Sequence, residues 1–396
     1  MRTKQSSLFP SPRSIHAAAE WSRGIRHQIH QHPETGFNET ATATLVAKKL
    51  KDFGYQVTTG VAKTGVVGFL KGGKPGKTIG LRADMDALPM QEKTGLPYAS
   101  KVPGVMHACG HDGHTAILLG AAKVIAEQRR DLAGNVKLFF QPAEEGGGGG
   151  FKMANAGFMK NPKVDVIYAL HGWESIDCGV VGYTPGPCFA SANLLKITVH
   201  GKGGHGAVPH RAIDPIYLSS LIIQALQSIV SRRLSALSQA IISICKISGG
   251  TTHNIIPDSV DMVGTIRTFD ARVQKTIIRE VKHICKHVAA SHDGRVDCKI
   301  TETFQATIND SDALEFAKEV AREALGAEQV REVPPTMGSE DFSCFLQHAP
   351  GAYLLLGLRK NKGTSHPVHS PHFDFNDDAI PAGIKLMSGL ALRYLR

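Results

Sequence analysis

Two adjacent glutamates, Glu144 and Glu145, precede five consecutive glycines in the stretch QPAEEGGGGG. Like charges repel, and no helix or sheet requires this pair, so the carboxylates either lie in a solvated turn or bind a cation. In the second case, one carboxylate ligates a metal ion and its neighbour accepts a proton from water. The glycines would let the backbone turn sharply beside the site. They could also cradle a phosphate, but no Lys-Ser/Thr pair follows them, which argues against a phosphate-binding loop.

Further ligand-type residues follow other short apolar stretches of the chain. They are Asp84 and Asp86 in LRADMDALPMQE, His107, Cys109, His111, Asp112 and His114 in MHACGHDGHT, His171 in YALHGW, and His369 and His372 in HSPHFDFND. Cysteine, histidine and carboxylate side chains are typical ligands of borderline divalent metals. Cys109 and His111 are two residues apart, so in an extended segment both side chains point to the same side. Each residue alone has an ordinary structural explanation, but together these segments indicate a metal site.

The apolar periodicity of the first half predicts strands and helices that would carry these residues. It predicts helices over 15–53 and 114–132, and strands over 55–60, 66–72, 78–85, 135–145 and 163–173. We expect Gly54 to end the first helix. Strand, helix and strand, with ligand-type residues after the strands, is the layout of an open α/β sheet.

The middle of the chain has a different order of elements. It predicts strands over 192–204, 239–250, 259–269 and 296–304, with helices over 212–233 and 273–290. This β-α-β-β-α-β order is typical of a ferredoxin-like unit. The α/β pattern then resumes, with a strand over 350–358. We therefore expect one catalytic, metal-binding domain formed by residues 1–188 and 307–396, and a smaller domain inserted at 189–306.

Composition excludes several classes of protein. The 396 residues carry a net charge of +10, but the basic residues are scattered and no basic run is interleaved with aromatic residues, so nucleic acid binding is not expected. The seven cysteines are dispersed, which fits a reducing compartment rather than a disulfide framework. No apolar run of about 18 residues predicts a membrane span, and the first residues lack the apolar segment of a secretory signal. We expect a cytoplasmic protein without a membrane partner.

Taken together, the motifs resemble those of the M20 metallopeptidase family. They run in order from HQHPETGF at residues 30–37 to HSPHFDFND at residues 369–377, and include MHACGHDGHTA, FQPAEEGGGG, GKGGHGAVPH, THNIIPD and MGSEDFS. The resemblance is strongest to the amidohydrolase branch, which contains hippurate hydrolases, N-acyl-amino acid amidohydrolases and plant auxin-conjugate hydrolases. It implies a zinc-peptidase-like α/β catalytic domain with a mixed central sheet flanked by helices. It also implies that the inserted ferredoxin-like α+β domain is a lid and dimerisation domain.

The resemblance implies a role for each residue that matches a family motif in the catalytic domain. The metal ligands implied by position are Cys109, His111, Glu145, His171 and His372. Glu144, just before the ligand glutamate, matches the general base. Asp86 matches the residue that orients a ligand histidine from behind.

Other matching positions imply contacts with substrate. His205, in the inserted domain, matches a histidine that reaches the site of another subunit and stabilises the oxyanion. Asn254 and Arg267 match positions that hold the carboxylate of the substrate. Gly338 and Ser339 lie in a loop that faces the substrate in the family.

The implied activity is metal-dependent hydrolysis of N-acyl or N-aroyl amino acids, of the aminoacylase or hippurate hydrolase type, to a carboxylic acid and a free amino acid. The resemblance implies one or two divalent ions per subunit (Mn, Zn, Co or Ni) and a homodimer or tetramer formed through the inserted domain. Alternatives within the family are an N-acetyl-diaminopimelate deacetylase or a small-peptide carboxypeptidase. A cysteine-dependent amidase using Cys109 and a metal-binding pseudo-enzyme are the alternatives from other classes. The presence of Glu144 and all the implied ligands argues against a pseudo-enzyme.

Overall fold

The computed structural model describes residues 9–360 and 365–396, and the chain divides into two compact units. The first unit contains the chain up to Cys188 together with residues 308–334 and 341–396, and the second contains residues 189–307 and 335–340. The sequence alone assigned residues 335–340 to the first part. In the structure this segment pairs within the second unit, because the Ala190 amide donates to the Gly338 carbonyl.

The helices begin at residues that favour a helix start. Ser11 and Asp214 accept hydrogen bonds from the first turns of their helices, and each is followed by proline, which tolerates the first helical position. The helices are α1 (Pro12–Gln31), α2 (Thr40–Asp52), α3 (His111–Glu127), α4 (Gly149–Ala154), α5 (Pro215–Ser228), α6 (Ala271–Ala290), α7 (Ser311–Leu325), α8 (Ser343–Leu346) and α9 (Ile380–Tyr394). Within the part of the chain that the structure describes, every helix is too short or too polar to cross a lipid bilayer.

The described residues form the ten predicted strands, with ends that differ by up to four residues, and six short strands that were not predicted. They are β1 (Gln56–Val61), β2 (Gly65–Lys71), β3 (Lys74–Asp84), β4 (Ala133–Gln141), β5 (Val166–Asp177), β6 (Val181–Tyr183), β7 (Pro187–Phe189), β8 (Ala192–His200), β9 (Gly204–His205), β10 (Ala240–Ser248), β11 (Ile255–Ile256), β12 (Ser259–Thr268), β13 (Arg295–Phe304), β14 (Thr307–Ile308), β15 (Val330–Glu332) and β16 (Gly351–Arg359).

The prediction of one helix over 15–53 was wrong, because two helices, α1 and α2, occupy this range. Pro33 follows the end of α1 and cannot continue a helical hydrogen-bond ladder. The carboxylate of Glu34 then accepts hydrogen bonds from the amides of Ala41 and Thr42, each at 2.9 Å, and so caps α2 from outside the helix.

The sheet of the first unit brings four strand ends to one edge. Its order is β1-β2-β4-β3-β5-β16-β6-β15, and the four central strands β4, β3, β5 and β16 are parallel. Asp84 at the end of β3 pairs with Gln141 at the end of β4, and His171 on β5 lies opposite Leu355 on β16. Because parallel strands end on the same side, the segments that follow them meet at that edge, as in other open α/β sheets.

Helix α3 begins at the same edge and is buried along its length. It lies against β3 and β5 of the sheet and contacts α1 and α9 on its other side. Leu118, Leu119 and Ile125 are fully buried. At Gly120 an added Cβ would lie 2.4 Å from Ser22 Oγ, so the helices approach one another closely there. This packing fixes the start of α3, where His111 lies.

The second unit has the predicted β-α-β-β-α-β order, which the structure confirms. Its antiparallel sheet has the strand order β10-β12-β8-β13. Helices α5 and α6 pack on this sheet and contact each other, with a core that contains Leu195, Ile222, Ile266 and Val281.

Candidate metal centre

Three of the predicted ligands lie together in the first unit. The potential ligand atoms of Cys109, His111 and Glu145 are all within 4.8 Å of one another. Cys109 comes just before α3 and His111 is the first residue of that helix, while Glu145 follows β4. Gly110 between the first two has a φ of +85°, a conformation that favours glycine and lets both side chains turn towards the cluster.

His171 joins the cluster from β5. Its Nδ1 donates to the carbonyl of Gly172 at 2.8 Å, which leaves the lone pair of Nε2 directed towards the Cys109 Sγ at 3.5 Å. The ring nitrogen that faces the cysteine is therefore the one able to bind a metal. Burial lowers the pKa of His171 well below its usual value, with His114 adding to this effect, so the imidazole is neutral, as a ligand must be.

The structure places His369, rather than the predicted His372, beside these ligands. His369 Nε2 lies 3.1 Å from Glu145 Oε1, and His369 also hydrogen-bonds Cys109. Its backbone amide donates to the Ala108 carbonyl at 2.7 Å, which holds the segment against the residues that precede α3. The sequence offered two equivalent histidines three residues apart, and this long-range backbone bond distinguishes them.

His372 has different surroundings. Its ring centroid lies 5.3 Å from that of His366, and both side chains line a cavity of about 190 Å³. Glu174, Lys360 and Asp374 also line this cavity. The structure therefore does not support His372 as a member of the ligand cluster.

Asp86 lies behind the cluster, where the predicted orienting role would need it. Its Oδ1 is 3.2 Å from His111 Nδ1, and its Oδ2 accepts the amide hydrogen of Glu145 at 3.0 Å. One buried carboxylate thus contacts two of the candidate ligand residues. With Nδ1 directed to Asp86, the other nitrogen of His111 faces the cluster.

His114 has both ring nitrogens engaged and is a positioning residue rather than a ligand. The amide of Gly172 donates to His114 Nε2 at 2.7 Å, so Nδ1 carries the proton and donates to Asp84 Oδ1 at 2.6 Å. Although burial opposes charge on Asp84, the positive charges of His111 and Arg82 hold its pKa well below the usual range. The link from Asp84 through His114 to Gly172 fixes the backbone next to His171.

The donor set fits a divalent cation. His111 Nε2 is buried and has no partner at hydrogen-bond geometry among the described residues, and the ligand atom of His111 lies within 4.8 Å of those of Cys109 and Glu145. Thiolate, imidazole and carboxylate groups together form the set that zinc, manganese, cobalt or nickel accepts. Glu144, beside the ligand glutamate, is also buried, at 8% exposure.

Protonation of these side chains predicts that metal affinity depends on pH. Burial raises the pKa of Cys109, and hydrogen bonds to Cys109 and Glu145 raise the pKa of His369 to about 10. For His111, burial opposes charge but the nearby Asp84 carboxylate outweighs it and raises the pKa. Without metal these groups hold protons at neutral pH, and a cation must displace them.

We therefore expect metal binding to release protons and to strengthen about 10-fold per pH unit for each proton displaced. Calorimetric titration of the metal-free protein with Zn²⁺ between pH 6 and 8, in buffers of different ionisation enthalpy, measures both quantities. An affinity that does not change over this range would contradict the assignment of protonated ligands.

The remaining predicted residues lie in the second unit. His205 on β9 and Asn254 just before β11 are exposed and lie close together, because β9 pairs with β11 and the Gly206 amide donates to the Asn254 carbonyl. Arg267 lies on β12, where its Nε donates to Thr265 Oγ1 at 3.1 Å.

Gly338 and Ser339 belong to the short segment that pairs within the second unit. The Gly338 amide donates to Thr336 Oγ1 at 3.1 Å, and Gly338 itself is exposed. Their predicted contact with substrate stays a prediction.

Comparison with known proteins gives a consistent result. The model of peptidase family M20/M25/M40 matches residues 80–393. A hippurate hydrolase from Campylobacter jejuni is 43% identical over 378 residues, covering 94% of this chain and 96% of that protein. The IAA-amino acid hydrolase ILR1-like 4 of Arabidopsis thaliana is 41% identical over 381 residues, covering 95% of this chain and 86% of that protein.

A solved structure extends the similarity to the whole fold. The YXEP protein of Bacillus subtilis, a dinuclear metal binding peptidase from the M20 family, has a TM-score of 0.84 and 32% identity, covering 96% of this chain and 99% of that one. Family model, relatives and structure therefore agree with the metal-ligand cluster at the sheet edge, and the chain belongs to peptidase family M20/M25/M40 as a metal-dependent amidohydrolase.

Proposed function

We propose that the protein hydrolyses N-acyl amino acids, of the hippurate type, to a carboxylic acid and a free amino acid. The observation that carries this proposal is the cluster of Cys109, His111 and Glu145 with Glu144 next to its carboxylate ligand. His171 and His369 complete the proposed ligand set, with His369 in place of His372. The relatives named for hippurate and IAA-amino acid hydrolysis support this substrate class.

Glu144 acts as the general base. A divalent cation, when bound, polarises the scissile carbonyl and makes water more acidic. Glu144 accepts the proton of the attacking water and then delivers it to the nitrogen of the leaving amino acid. Asp86 and His114 keep His111 and His171 oriented during this exchange.

Arg267, together with Asn254, binds the free carboxylate of the substrate. Arg267 Nη1 is buried and makes no hydrogen bond among the described residues, and burial lowers the pKa of the guanidinium. A buried cationic donor without a partner favours an anionic ligand.

We expect Arg267→Ala to raise KM about 10- to 100-fold for N-acyl amino acids, because a charge-assisted hydrogen bond is lost. The corresponding N-acyl amino acid amides, which lack the carboxylate, should show a much smaller change. Steady-state kinetics on each matched pair of substrates measures the difference. Arg272→Ala is the control, because Arg272 is 93% exposed and pairs with Asp270. Equal effects of Arg267→Ala on acids and amides would contradict the carboxylate role.

His205 stabilises the oxyanion in the site of a second subunit of a homodimer. Its Nδ1 accepts the Ala207 amide hydrogen at 3.0 Å, so a neutral imidazole carries its proton on the exposed Nε2 and can donate it. Edge strand β10, with Ile241 and Ile247 exposed at 37% and 53%, supports a dimer or tetramer formed through the second unit. Sedimentation equilibrium tests the assembly, and an active monomer would contradict it.

A cysteine nucleophile is the alternative mechanism that the geometry disfavours. Burial raises the pKa of Cys109, whereas a nucleophilic cysteine needs a lowered one. A cytoplasmic location is part of the proposal, since reduced cysteines are needed for this ligand set. Loss of activity with a thiol reagent but not with a chelator would support the alternative.

The substrate class is tested with a panel of benzoyl-glycine, acetyl-methionine, acetyl-diaminopimelate and indole-acetyl-alanine. Each is assayed before and after chelation, and again after adding back Mn²⁺, Zn²⁺, Co²⁺ or Ni²⁺. We expect chelation to abolish turnover and one ion to restore it. Turnover of acetyl-diaminopimelate alone would favour the deacetylase alternative, and absence of turnover in every metal-loaded sample would contradict the proposal.

A further inference from the structure

The loop that carries Glu144 and Glu145 is tied at both ends to one carboxylate. Gln141, the last residue of β4, donates from Nε2 to Asp341 Oδ1 at 2.7 Å. Gly150, in the first turn of α4, donates its backbone amide to Asp341 Oδ2 at 2.7 Å. Asp341 is fully buried, and all these residues belong to the first unit.

The loop between these two anchors is rich in glycine, and the carboxylates of Glu39 and Asp86 hold two of its amides, those of Ala143 and Glu145. Gly146 and Gly148 have φ angles of +85° and +70°, which favour glycine over other residues. Glycine retains the most backbone freedom in an unrestrained chain, so a glycine-rich loop orders only where its ends and amides are held.

The same carboxylate is linked to the residues behind the metal ligands. Arg82 Nη2 lies 3.3 Å from Asp341 Oδ1, and Arg82 Nη1 donates to Asp84 Oδ2 at 2.6 Å. Asp84 contacts His114, which in turn fixes the backbone beside His171. A carboxylate oxygen of Glu144 itself lies within 4.8 Å of one of Asp341.

We propose that Asp341 is a positioning residue that closes the loop of Glu144 and Glu145 and fixes it relative to the metal ligands. The inference rests on the proposed role of Glu144. In this proposal Asp341 acts through Gln141 and Gly150, to which its two carboxylate oxygens are bonded. Replacing a residue that supports a metal ligand from behind typically lowers metal affinity or activity 10- to 100-fold, so we expect the loss of Asp341 to be measurable.

Two variants break the same contact from opposite sides. Asp341→Asn removes the charge and presents an amide donor to Gln141 or to Gly150. Gly150→Ala keeps the carboxylate but places a Cβ 2.5 Å from Asp341 Cγ, which must displace the loop. With saturating metal, we expect each variant to lower kcat about 10- to 100-fold with little change in KM. The kcat of the double variant should be no lower than that of either single variant, because both substitutions remove the same interaction between Asp341 and Gly150.

Asp165→Asn is the matched control. Asp165 Oδ2 accepts the Thr78 backbone amide at 2.7 Å, the same kind of bond at the same length, but this bond holds β3 and not the loop of Glu144 and Glu145. We expect this variant to keep the wild-type kcat and KM.

Hydrogen exchange makes the proposal testable without turnover. The Gly150 amide should lose protection in Asp341→Asn, while the amides of β4 keep theirs. Unchanged exchange at Gly150 would overturn the proposal, whatever the substrate panel shows. A lower melting temperature with a wild-type kcat in the folded, metal-loaded fraction would also overturn it. If Asp341→Asn fails to fold, Gly150→Ala and its exchange pattern decide the question.

Discussion

Replacing Glu144 with glutamine should lower kcat by about 10²- to 10⁴-fold while the metal content stays at the wild-type level. The amide has nearly the size of the carboxylate but cannot accept the proton of the attacking water. Glu145, the neighbouring ligand, is unchanged. Steady-state kinetics on benzoyl-glycine and elemental analysis of the purified protein measure the two quantities together.

The metal content is the control for this substitution. Glu144 is buried beside a ligand, so a variant that lost its metal would be inactive for a different reason. If Glu144→Gln kept its metal and a rate near that of the wild type, another group would have to be the base.

Replacing His369 with alanine should weaken metal binding by at least about 100-fold. Replacing even a residue that only supports a ligand typically lowers metal affinity 10- to 100-fold, and the loss of a ligand should cost at least as much. His369 Nε2 lies 3.1 Å from Glu145 Oε1, so its loss removes a donor from the cluster. Calorimetric titration with Zn²⁺ measures the affinity. Activity at limiting metal should fall in parallel, and excess metal should restore it only in part.

His372→Ala is the matched control, since it removes the same side chain three residues away. His372 lies beside His366 in a separate cavity, so we expect metal affinity close to that of the wild type. If His372→Ala lost metal and His369→Ala retained it, the ligand expected from the sequence would be right and the assignment of His369 wrong.

The fold was largely predictable from local patterns. The strands that carry the site and the β-α-β-β-α-β order depend on apolar periodicity within one segment, and the structure has both. The prediction of a single helix over 15–53 was wrong because it passed over Pro33, which follows the end of α1. The start of α2 depends on capping by Glu34, a contact that periodicity does not reveal.

The candidate site was predictable where ligands are defined by residue type and short spacing. Cys109, His111 and Glu145 could be selected by residue type and by their positions after short apolar stretches, and they do lie together. The extended segment expected for the first two is absent, because Gly110 between them is left-handed and His111 begins α3. Spacing alone left open which of Glu144 and Glu145 would bind the metal, and the family resemblance implied Glu145 as the ligand and Glu144 as the base.

The sequence by itself determined the strand ends and the residue types that deliver ligands to them, because periodicity and spacing act over a few residues. Only the tertiary structure places His369 and not His372 beside the cluster, although the two share a residue type and a segment, because the His369 amide bonds to the Ala108 carbonyl. It also decided the positions of His114 and Asp341. His114 bonds to Gly172, 58 residues away in the chain, and Asp341 bonds to Gly150, 191 residues away. Such contacts depend on which distant segments are brought together by packing, and local patterns in the sequence do not reveal this.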